Sequence, residues 1–203
     1  MKILLATNNE NKAREIRAIL KDANVEISTL TDLNLTSDPE ETGETFLENA
    51  TIKAQSAMDA LKEKGFSGYT VVADDSGLCV DALGGGPGVY SARYAEVNGK
   101  PCTYKDNNKK LLKDLKGIPM SERTAHFATV AVMLKEDGSE QHAVGQIFGV
   151  IGKKSVGHNG FGYDPIFYPE GAGITLAQLS PEEKDEISHR AQAFRNLFLV
   201  NSN

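Results

Sequence analysis

The sequence predicts an α/β fold, built either as one compact unit or as two lobes with a cleft between them. Three observations predict it. Short apolar runs alternate with helical patterns through the first 75 residues. Two long runs rich in β-formers, residues 124–134 and 141–151, flank Asp137-Gly138 and predict a long β-hairpin. A helix-start signal at Ser180-Pro181-Glu182-Glu183 then predicts that the chain finishes in helices.

Apolar periodicity assigns the individual elements. Lys2–Thr7 predicts a short buried strand, and the apolar residues from Ala13 to Leu20 recur at the spacing of a helix. Gly65 is a suitable stop for the long helix predicted before it. The other predicted elements are a strand at Val25–Leu30, a long helix from about Gly43 to about Lys64, a buried strand at Thr70–Ala73 that ends in Asp74 and Asp75, a tight loop at Leu83–Gly88, a surface helix at Tyr104–Leu115 and a final helix at Ala191–Val200.

Composition narrows the class of protein. The 203 residues are 40% hydrophobic and 25% charged, which suits a globular core. The net charge of −6 argues against a long nucleic acid as partner. The N-terminal apolar run Ile3–Ala6 is too short for a signal segment or a membrane span. We therefore expect no membrane partner. Cys79 and Cys102 form no CxxC motif and no paired framework, so we expect a reducing, cytoplasmic location.

The first strand and the first helix are joined by a polar loop. Ligands of open α/β sheets bind at such loops, beyond the carboxyl ends of strands. A helix N-terminus offers N–H groups and a positive dipole end, and Lys12 adds a full charge, so the loop suits a phosphate. It is not a P-loop, and a polar βα connection with a helix cap is the alternative. The loop consists of Thr7, Asn8, Asn9, Glu10, Asn11 and Lys12.

Carboxylates occur at two places. Glu41, Glu44 and Glu48 are spaced to share one face at the start of the long helix, where they could reach a divalent cation or merely favour the helix dipole. Asp74 and Asp75 are adjacent at the end of a buried strand, where their repulsion needs a compensating partner. We interpret at least one of these aspartates as a metal ligand, with a turn-capping role as the alternative.

Three later segments carry polar groups suited to a nucleotide. Arg93 follows the glycine-rich loop and could pair with a phosphate. Residues 157–165 combine three glycines with two aromatic residues, which would let a flat ligand approach the backbone and stack. Lys184 and Ser188 share a helical face if that helix is unbroken. His189 and Arg190 begin the last helical stretch, where they could recognise an acceptor oxygen.

Taken together, these segments resemble the inosine/xanthosine triphosphate pyrophosphatase family, the house-cleaning hydrolases of deaminated purine nucleotides. The similar segments occur in the family's order and extend from Ala6 to Arg190. The resemblance implies an elongated two-lobed mixed-sheet α/β fold with a central substrate cleft, one domain over residues 1–203, a magnesium requirement and a homodimer. The segments are ATNNENK, EETGETFLENA, ADDSGLCVDALGGGPGVYSARYA, GFGYDPIF and LSPEEKDEISHR.

The resemblance also implies roles for individual residues. Thr7–Lys12 would hold the triphosphate, with Lys12 on the phosphates. Glu41, with Glu40, would bind the metal together with Asp75, which would also be the general base. The remaining substrate contacts would be Ser76, then Phe161, Gly162, Tyr163 and Asp164 around the base and sugar, and Lys184, His189 and Arg190 on the base. Asn11 stands where the family often has glycine, and asparagine tolerates a left-handed conformation.

The function expected from the resemblance is hydrolysis of non-standard purine nucleoside triphosphates (ITP, dITP and XTP) to the monophosphate and pyrophosphate. Three alternatives remain. A Maf-like nucleotide pyrophosphatase would differ mainly in the base it accepts. An aspartyl-phosphate phosphatase would need a DxD motif, whereas Asp74 and Asp75 are adjacent. A non-catalytic nucleotide-binding module would bind the ligand without releasing pyrophosphate.

Overall fold

The computed structural model of the 203-residue chain describes residues 1–199. It confirms the predicted α/β class. The strands are β1 (Lys2–Leu5), β2 (Glu26–Thr29), β3 (Tyr69–Val80), β4 (Thr124–Leu134), β5 (Glu140–Ile151) and β6 (Phe167–Pro169). The helices are α1 (Glu10–Ile19), α2 (Phe46–Glu63), α3 (Tyr104–Asp114), α4 (Pro181–Ile187) and α5 (His189–Leu199). Val200, predicted to end the last helix, lies outside the described residues.

The six strands form one mixed sheet in the order β2-β1-β3-β4-β5-β6. Strand β1 runs parallel to both β2 and β3, while β5 and β6 are antiparallel. The adjacent strands β4 and β5 are joined by the short segment 135–139, as predicted for a hairpin. The chain divides into two compact units. Of the described residues, unit 1 comprises 1–75, 129–145 and 189–199, and unit 2 comprises 76–128 and 146–188.

Unit 1 has apolar residues on both faces of its strands because side chains alternate along a strand. On one face, Leu4, Val71 and Ala73 pack with buried residues of α2. On the other face, Ile3 and Val72 pack with residues of α1 and α5. Any two successive residues of β3 in this unit therefore face different helices, and this alternation decides where Asp74 and Asp75 point.

Strand β3 does not end where the sequence predicted. It continues through Asp74 and Asp75 to Val80, so the prediction that the strand ends in the two aspartates is wrong. Both are buried, with 3% and 6% of their surface exposed. A strand can carry two adjacent buried carboxylates only if each finds a partner on its own face.

Helix α2 begins later than predicted. Thr45 is its N-cap and forms a capping box with Glu48, whose carboxylate accepts from the Thr45 amide at 3.0 Å. The prediction that Glu41, Glu44 and Glu48 share a helix face is therefore wrong, because the first two precede the helix and the third is used in its cap. At the other end, Gly65 adopts φ 74° and closes a Schellman motif, as predicted.

Unit 2 is built around its own apolar cluster, which includes Leu111 of α3, its C-cap residue Leu115 and Phe167 of β6. A buried arginine fixes the end of α3 in this unit. The guanidinium of Arg123 donates to the carbonyls of Leu115 at 2.6 Å, Gly152 at 2.8 Å and Ile118 at 3.0 Å. Arg123 thus anchors the helix that carries Tyr104 and Asn108.

The C-terminal helices confirm the predicted helix start at Ser180, but they do not form the unbroken helix that a shared face of Lys184 and Ser188 required. Ser180 caps α4 in a capping box with Glu183, as predicted. The helix then ends at Ile187, and Ser188 is extended with ψ 152°, so Lys184 and Ser188 do not share an unbroken helix. Within residues 1–199, none of the helices has the length and apolar character that a membrane crossing requires.

We expect Arg123→Met to lower the free energy of unfolding by at least about 3 kcal/mol, because three buried carbonyls lose a charged donor. The matched control is Arg17→Met, since Arg17 pairs with Asp32 on the surface, where both side chains are about half exposed. Urea denaturation of the two variants measures the difference. Equal stability of the two variants would contradict the proposed anchoring by Arg123.

Candidate functional site

The polar loop before α1 is organised by its own side chains. The Asn9 carboxamide accepts from the amides of Asn11 at 3.0 Å and Lys12 at 3.2 Å, and Thr7 Oγ1 accepts from the Asn9 amide at 3.1 Å. Asn8 Nδ2 donates to the Ser37 carbonyl at 2.9 Å. The N–H groups of Asn11 and Lys12 are thus occupied by the cap. A phosphate at this helix end must displace the Asn9 carboxamide to reach them.

Asn11 needs no left-handed backbone. It lies in the first turn of α1, and the non-glycine residues with positive φ in the described chain are Asn34 and Asn98. The tolerance of asparagine for a left-handed conformation is therefore not used at Asn11. Its side chain instead accepts a hydrogen bond from Arg14 at 2.6 Å.

A group of opposite charges lies on the α1 and α5 face of unit 1. Lys12 Nζ is 2.9 Å from Asp74 Oδ2, and Arg190 Nε is 3.6 Å from the same oxygen. The Arg190 guanidinium also pairs with Glu15 of α1. The structure therefore brings Lys12 and Arg190 together on one carboxylate, although the sequence had assigned them to phosphate and base respectively.

The neighbouring carboxylate belongs to the α2 face. Lys53 of α2 donates to Asp75 Oδ1 at 2.7 Å and to Glu41 Oε1 at 3.3 Å. This places Glu41 and Asp75, two of the three predicted metal ligands, against the same ammonium group. Glu40, the other predicted ligand, is exposed. The ammonium of Lys53 therefore occupies a position at which the carboxylates of Glu41 and Asp75 attract a cation.

Burial and charge set the ionisation of this group. Burial alone would raise the pKa of Asp74, but Lys12 and Arg190 outweigh it and hold that pKa well below its usual value. Burial raises the pKa of Asp75 despite the opposing effect of Lys53. Burial also lowers the pKa of Lys12, whereas for Lys53 the carboxylates prevail and raise the pKa. Both aspartates are arranged to face positive charge.

The carboxylates present fit a divalent cation bound by few protein ligands. Asp75 Oδ2 is buried and has no hydrogen-bond partner among residues 1–199, so this oxygen has an unused lone pair. No group of three or more acidic, histidine or cysteine side chains is gathered for a metal within the same residues. Mg²⁺ commonly takes one or two carboxylates and completes its shell with water and substrate phosphate. Asp75 and Glu41 are sufficient for such a site.

Unit 2 contains a second group of predicted residues. Asp164 Oδ2 accepts from the Phe161 amide at 2.8 Å and from Lys184 Nζ at 2.6 Å. Lys184 Nζ also lies 4.9 Å from the centroid of the Phe161 ring. Gly160 has φ 71°, and a Cβ there would collide with the Asp164 carboxylate. The chain turn at Phe161 and Gly162 is therefore held by the buried ion pair of Asp164 and Lys184.

Tyr163 has a different environment from the one predicted for a base contact. Only 4% of it is exposed, its ring belongs to the apolar cluster of unit 2, and its hydroxyl donates to the Ser91 carbonyl at 2.8 Å. Burial raises the pKa of its hydroxyl.

The remaining predicted residues lie as follows. Arg93 lies over the ring of Tyr90, 5.2 Å from the centroid. The predicted residues Ser76 and His189 are half-buried and buried, respectively.

The sequence analysis missed two charged residues of unit 1, Lys53 and Glu15. A weak signal for Lys53 existed, because it is next to Ala54 and three residues after Ala50, both fully buried. A lysine beside small core residues on a helix lies close to the sheet. Glu15 carried no local signal, because its partner Arg190 is 175 residues away in the chain.

Known proteins match the chain over nearly its whole length. The family model described as the Ham1 family matches residues 3–199. A protein named dITP/XTP pyrophosphatase from Thermoanaerobacter sp. (strain X514) is 49% identical over 197 residues, covering 97% of this chain and 94% of its own. A protein of the same name from Listeria monocytogenes is 44% identical over 196 residues, covering 97% and 92%.

Solved structures are similar in fold as well as in sequence. The Ham1 protein of Staphylococcus aureus is 40% identical, with a TM-score of 0.82 and full coverage of both chains. A HAM1 protein from Coxiella burnetii is 39% identical, with a TM-score of 0.84, covering 100% of this chain and 98% of its own.

Removing the ammonium between Glu41 and Asp75 should make the protein depend on a divalent cation for stability. We expect Lys53→Met to lower the free energy of unfolding by roughly 3 kcal/mol without metal, because a buried carboxylate loses its charged donor. Added Mg²⁺ should recover part of that loss. Thermal melting with and without Mg²⁺ measures it, and Lys62→Met on the exposed face of α2 is the matched control. An equal Mg²⁺ effect in the variant and the wild-type protein would count against the site.

Tyr163→Phe separates a structural role from a base contact. Loss of the hydroxyl should cost about 1 kcal/mol of stability, because Asn107 Nδ2 still donates to the Ser91 carbonyl at 3.3 Å. We expect KM for inosine triphosphate to stay within about twofold of the wild-type value, equivalent to about 0.4 kcal/mol of binding, because the hydroxyl already donates to the Ser91 carbonyl. Steady-state kinetics with a parallel urea titration check both parts. A large rise in KM at unchanged stability would show that the Tyr163 hydroxyl contacts the base after all.

Proposed function

Because the chain belongs to the Ham1 family, we propose that it hydrolyses non-standard purine nucleoside triphosphates, namely ITP, dITP and XTP. It is a nucleoside triphosphate pyrophosphatase, which releases the monophosphate and pyrophosphate and so removes deaminated purines from the nucleotide pool. The observation that carries the proposal is the buried carboxylate of Asp75, which shares Lys53 with Glu41 and retains an oxygen without a hydrogen-bond partner in residues 1–199. The names of the Thermoanaerobacter and Listeria relatives support the choice of bases.

The reaction needs a nucleophile and relief of developing charge. The oxygen of a water molecule forms a bond to the α-phosphorus while the bond from that phosphorus to the α–β bridging oxygen breaks. The pyrophosphate leaves with the bridging oxygen and the bonding electrons. Asp75 takes the proton of the water as general base. Lys12 leaves its ion pair with Asp74 and stabilises the negative charge on the phosphates.

Glu41 and Asp75, assisted by Glu40, would hold Mg²⁺. When bound, the ion supplies a positive charge that neutralises phosphate oxygens and lowers the pKa of a coordinated water. The chain itself contributes the negative charge that would attract the ion, and the ammonium of Lys53 pairs with both Glu41 and Asp75. With an ion on these carboxylates, Lys53 would be available to pair with phosphate oxygens.

The phosphate contacts fall to the loop Thr7–Lys12 and to Ser76. For the base, the proposed donors are Arg190, His189 and Lys184, and the proposed base and sugar contacts are Phe161, Gly162, Asp164 and the backbone of Tyr163, whose side chain is buried. A guanidinium carries five N–H donors, so the pairing of Arg190 with Glu15 and Asp74 is compatible with one further acceptor. Inosine and xanthosine have an oxygen at C6 where adenosine has an amino group. A buried donor therefore discriminates against adenosine triphosphate.

We place the enzyme in the cytoplasm as a homodimer. The absence of a CxxC motif supports a reducing compartment. Apolar side chains exposed on unit 2 support self-association. Phe148 is 55% exposed and Met120 is 39% exposed, while the His126 ring lies 5.4 Å from that of Phe148.

Product analysis with a panel of triphosphates tests the function. Inosine triphosphate with Mg²⁺ should give inosine monophosphate and pyrophosphate, and adenosine triphosphate should react far more slowly. Asp75→Asn and Lys12→Ala should each lower kcat by about 10²- to 10⁴-fold, because the first removes a general base and the second a cation facing the phosphates. Ion-exchange separation of the nucleotides measures both.

Matched controls are Asp59→Asn and Lys62→Ala, which lie on the exposed face of α2 and should leave kcat unchanged. Inosine diphosphate and orthophosphate as products would point to another phosphohydrolase. A trapped phosphoenzyme would point to an aspartyl-phosphate enzyme. Tight binding without turnover would favour a nucleotide-binding module. Full activity of both site variants would remove the mechanism.

A further inference from the structure

The first turn of α3 lies against the chain turn at Phe161 and Gly162, within unit 2. Tyr104 is the first residue of α3, and Asn108 follows one helical turn later, so both lie on the same face of the helix. Asn108 Nδ2 donates to the Gly162 carbonyl at 3.0 Å. The ring of Tyr104 lies 5.8 Å from that of Phe161, centroid to centroid, with the planes tilted by 44°. Helix α3 is thus tethered to a predicted base-binding segment.

Tyr104 presents aromatic surface where Tyr163 does not. Tyr104 is 41% exposed and Phe161 is partly buried, whereas Tyr163 is almost fully buried. The aromatic surface beside this turn is therefore provided by Tyr104 and Phe161. The sequence assigned Tyr104 only to a surface helix. It did not identify Tyr104 as a site residue, and Tyr104 lies outside the segments that resemble the family.

The position of the Phe161 ring is fixed from another direction. Lys184 Nζ lies 4.9 Å from its centroid and is itself held by Asp164 in a buried ion pair. A flat base that packs on Phe161 meets a ring that cannot easily move away. A purine has two fused rings and is wider than a phenyl ring, so a purine on Phe161 also reaches a neighbour as close as Tyr104.

We propose that Tyr104 contacts the substrate, packing its ring against the purine base beside Phe161. The proposal rests on the proposed function and deepens it, because it names a residue that determines affinity for the base. Stacking of a base on an aromatic side chain is sequence-tolerant, so Tyr104 contributes to the binding of purines in general. Selection among purines falls to hydrogen-bonding groups.

Kinetics test the contact through the split between KM and kcat. Tyr104→Leu keeps apolar bulk and removes the ring, and it should raise KM for inosine triphosphate by about 5- to 100-fold with kcat within about twofold. Tyr104→Phe should restore the wild-type KM. Inorganic tripolyphosphate has no base, so its inhibition constant should be the same in Tyr104→Leu and the wild-type protein. A parallel rise for both compounds would show a structural effect and overturn the proposal.

A binding measurement makes the test independent of turnover. The chain contains no tryptophan, so Tyr104→Trp introduces a single indole emission. Inosine monophosphate, added without metal, should quench it saturably. Tyr69→Trp, at the first residue of β3 and in unit 1, is the control and should show no quenching. Circular dichroism checks folding, which should persist because the capping box of Thr103 and Asp106 is untouched.

The outcomes separate this proposal from the proposed function. If the wild-type protein releases no pyrophosphate from inosine triphosphate, the proposed function fails. If the wild-type protein is active but Tyr104→Leu leaves KM unchanged and Tyr104→Trp shows no quenching, only the contact by Tyr104 fails.

Discussion

The structure of unit 1 depends on one electrostatic constraint: two adjacent carboxylates in a buried strand must each meet positive charge. Asp74 and Asp75 face opposite sides of β3, and each finds its cations on a different helix layer. The Asp74 side recruits α1 and α5 through Lys12 and Arg190. The Asp75 side recruits α2 through Lys53. The same ion pairs that make these carboxylates tolerable inside the protein also position the charges that a metal and a triphosphate require.

Local sequence signals predicted most of the fold. Apolar periodicity located four of the helices and the strands of the hairpin, and the Ser180 and Gly65 signals marked helix ends correctly. Two errors in element boundaries have different origins. The end of β3 was misplaced because the cations that stabilise Asp74 and Asp75 come from distant parts of the chain. The start of α2 was misplaced because Glu48 satisfies backbone amides of its own cap, which the spacing of acidic residues did not indicate.

The sequence predicted several of the charged residues of the candidate site, because the residue type itself implies the charge. It did not predict residues whose role depends on neighbours that are distant in the chain. Asp75, Glu41 and Lys12 were identified from the sequence, and the structure pairs each of them with an opposite charge. Lys53 looked like an ordinary helical lysine, because its partners lie 12 and 22 residues away. Tyr163 looked like a base contact, because the sequence does not reveal that its ring belongs to an apolar core.

The alternation of Asp74 and Asp75 along β3 fixes how this strand can evolve. Deleting or inserting a single residue between Val72 and Asp74 would exchange the two carboxylates between the faces of the sheet. Each would then confront cations placed for the other, and the apolar residues that follow them in β3 would also be turned to the opposite face. Point substitutions can accumulate here, but the length of the segment is invariant for any descendant that keeps both ion pairs.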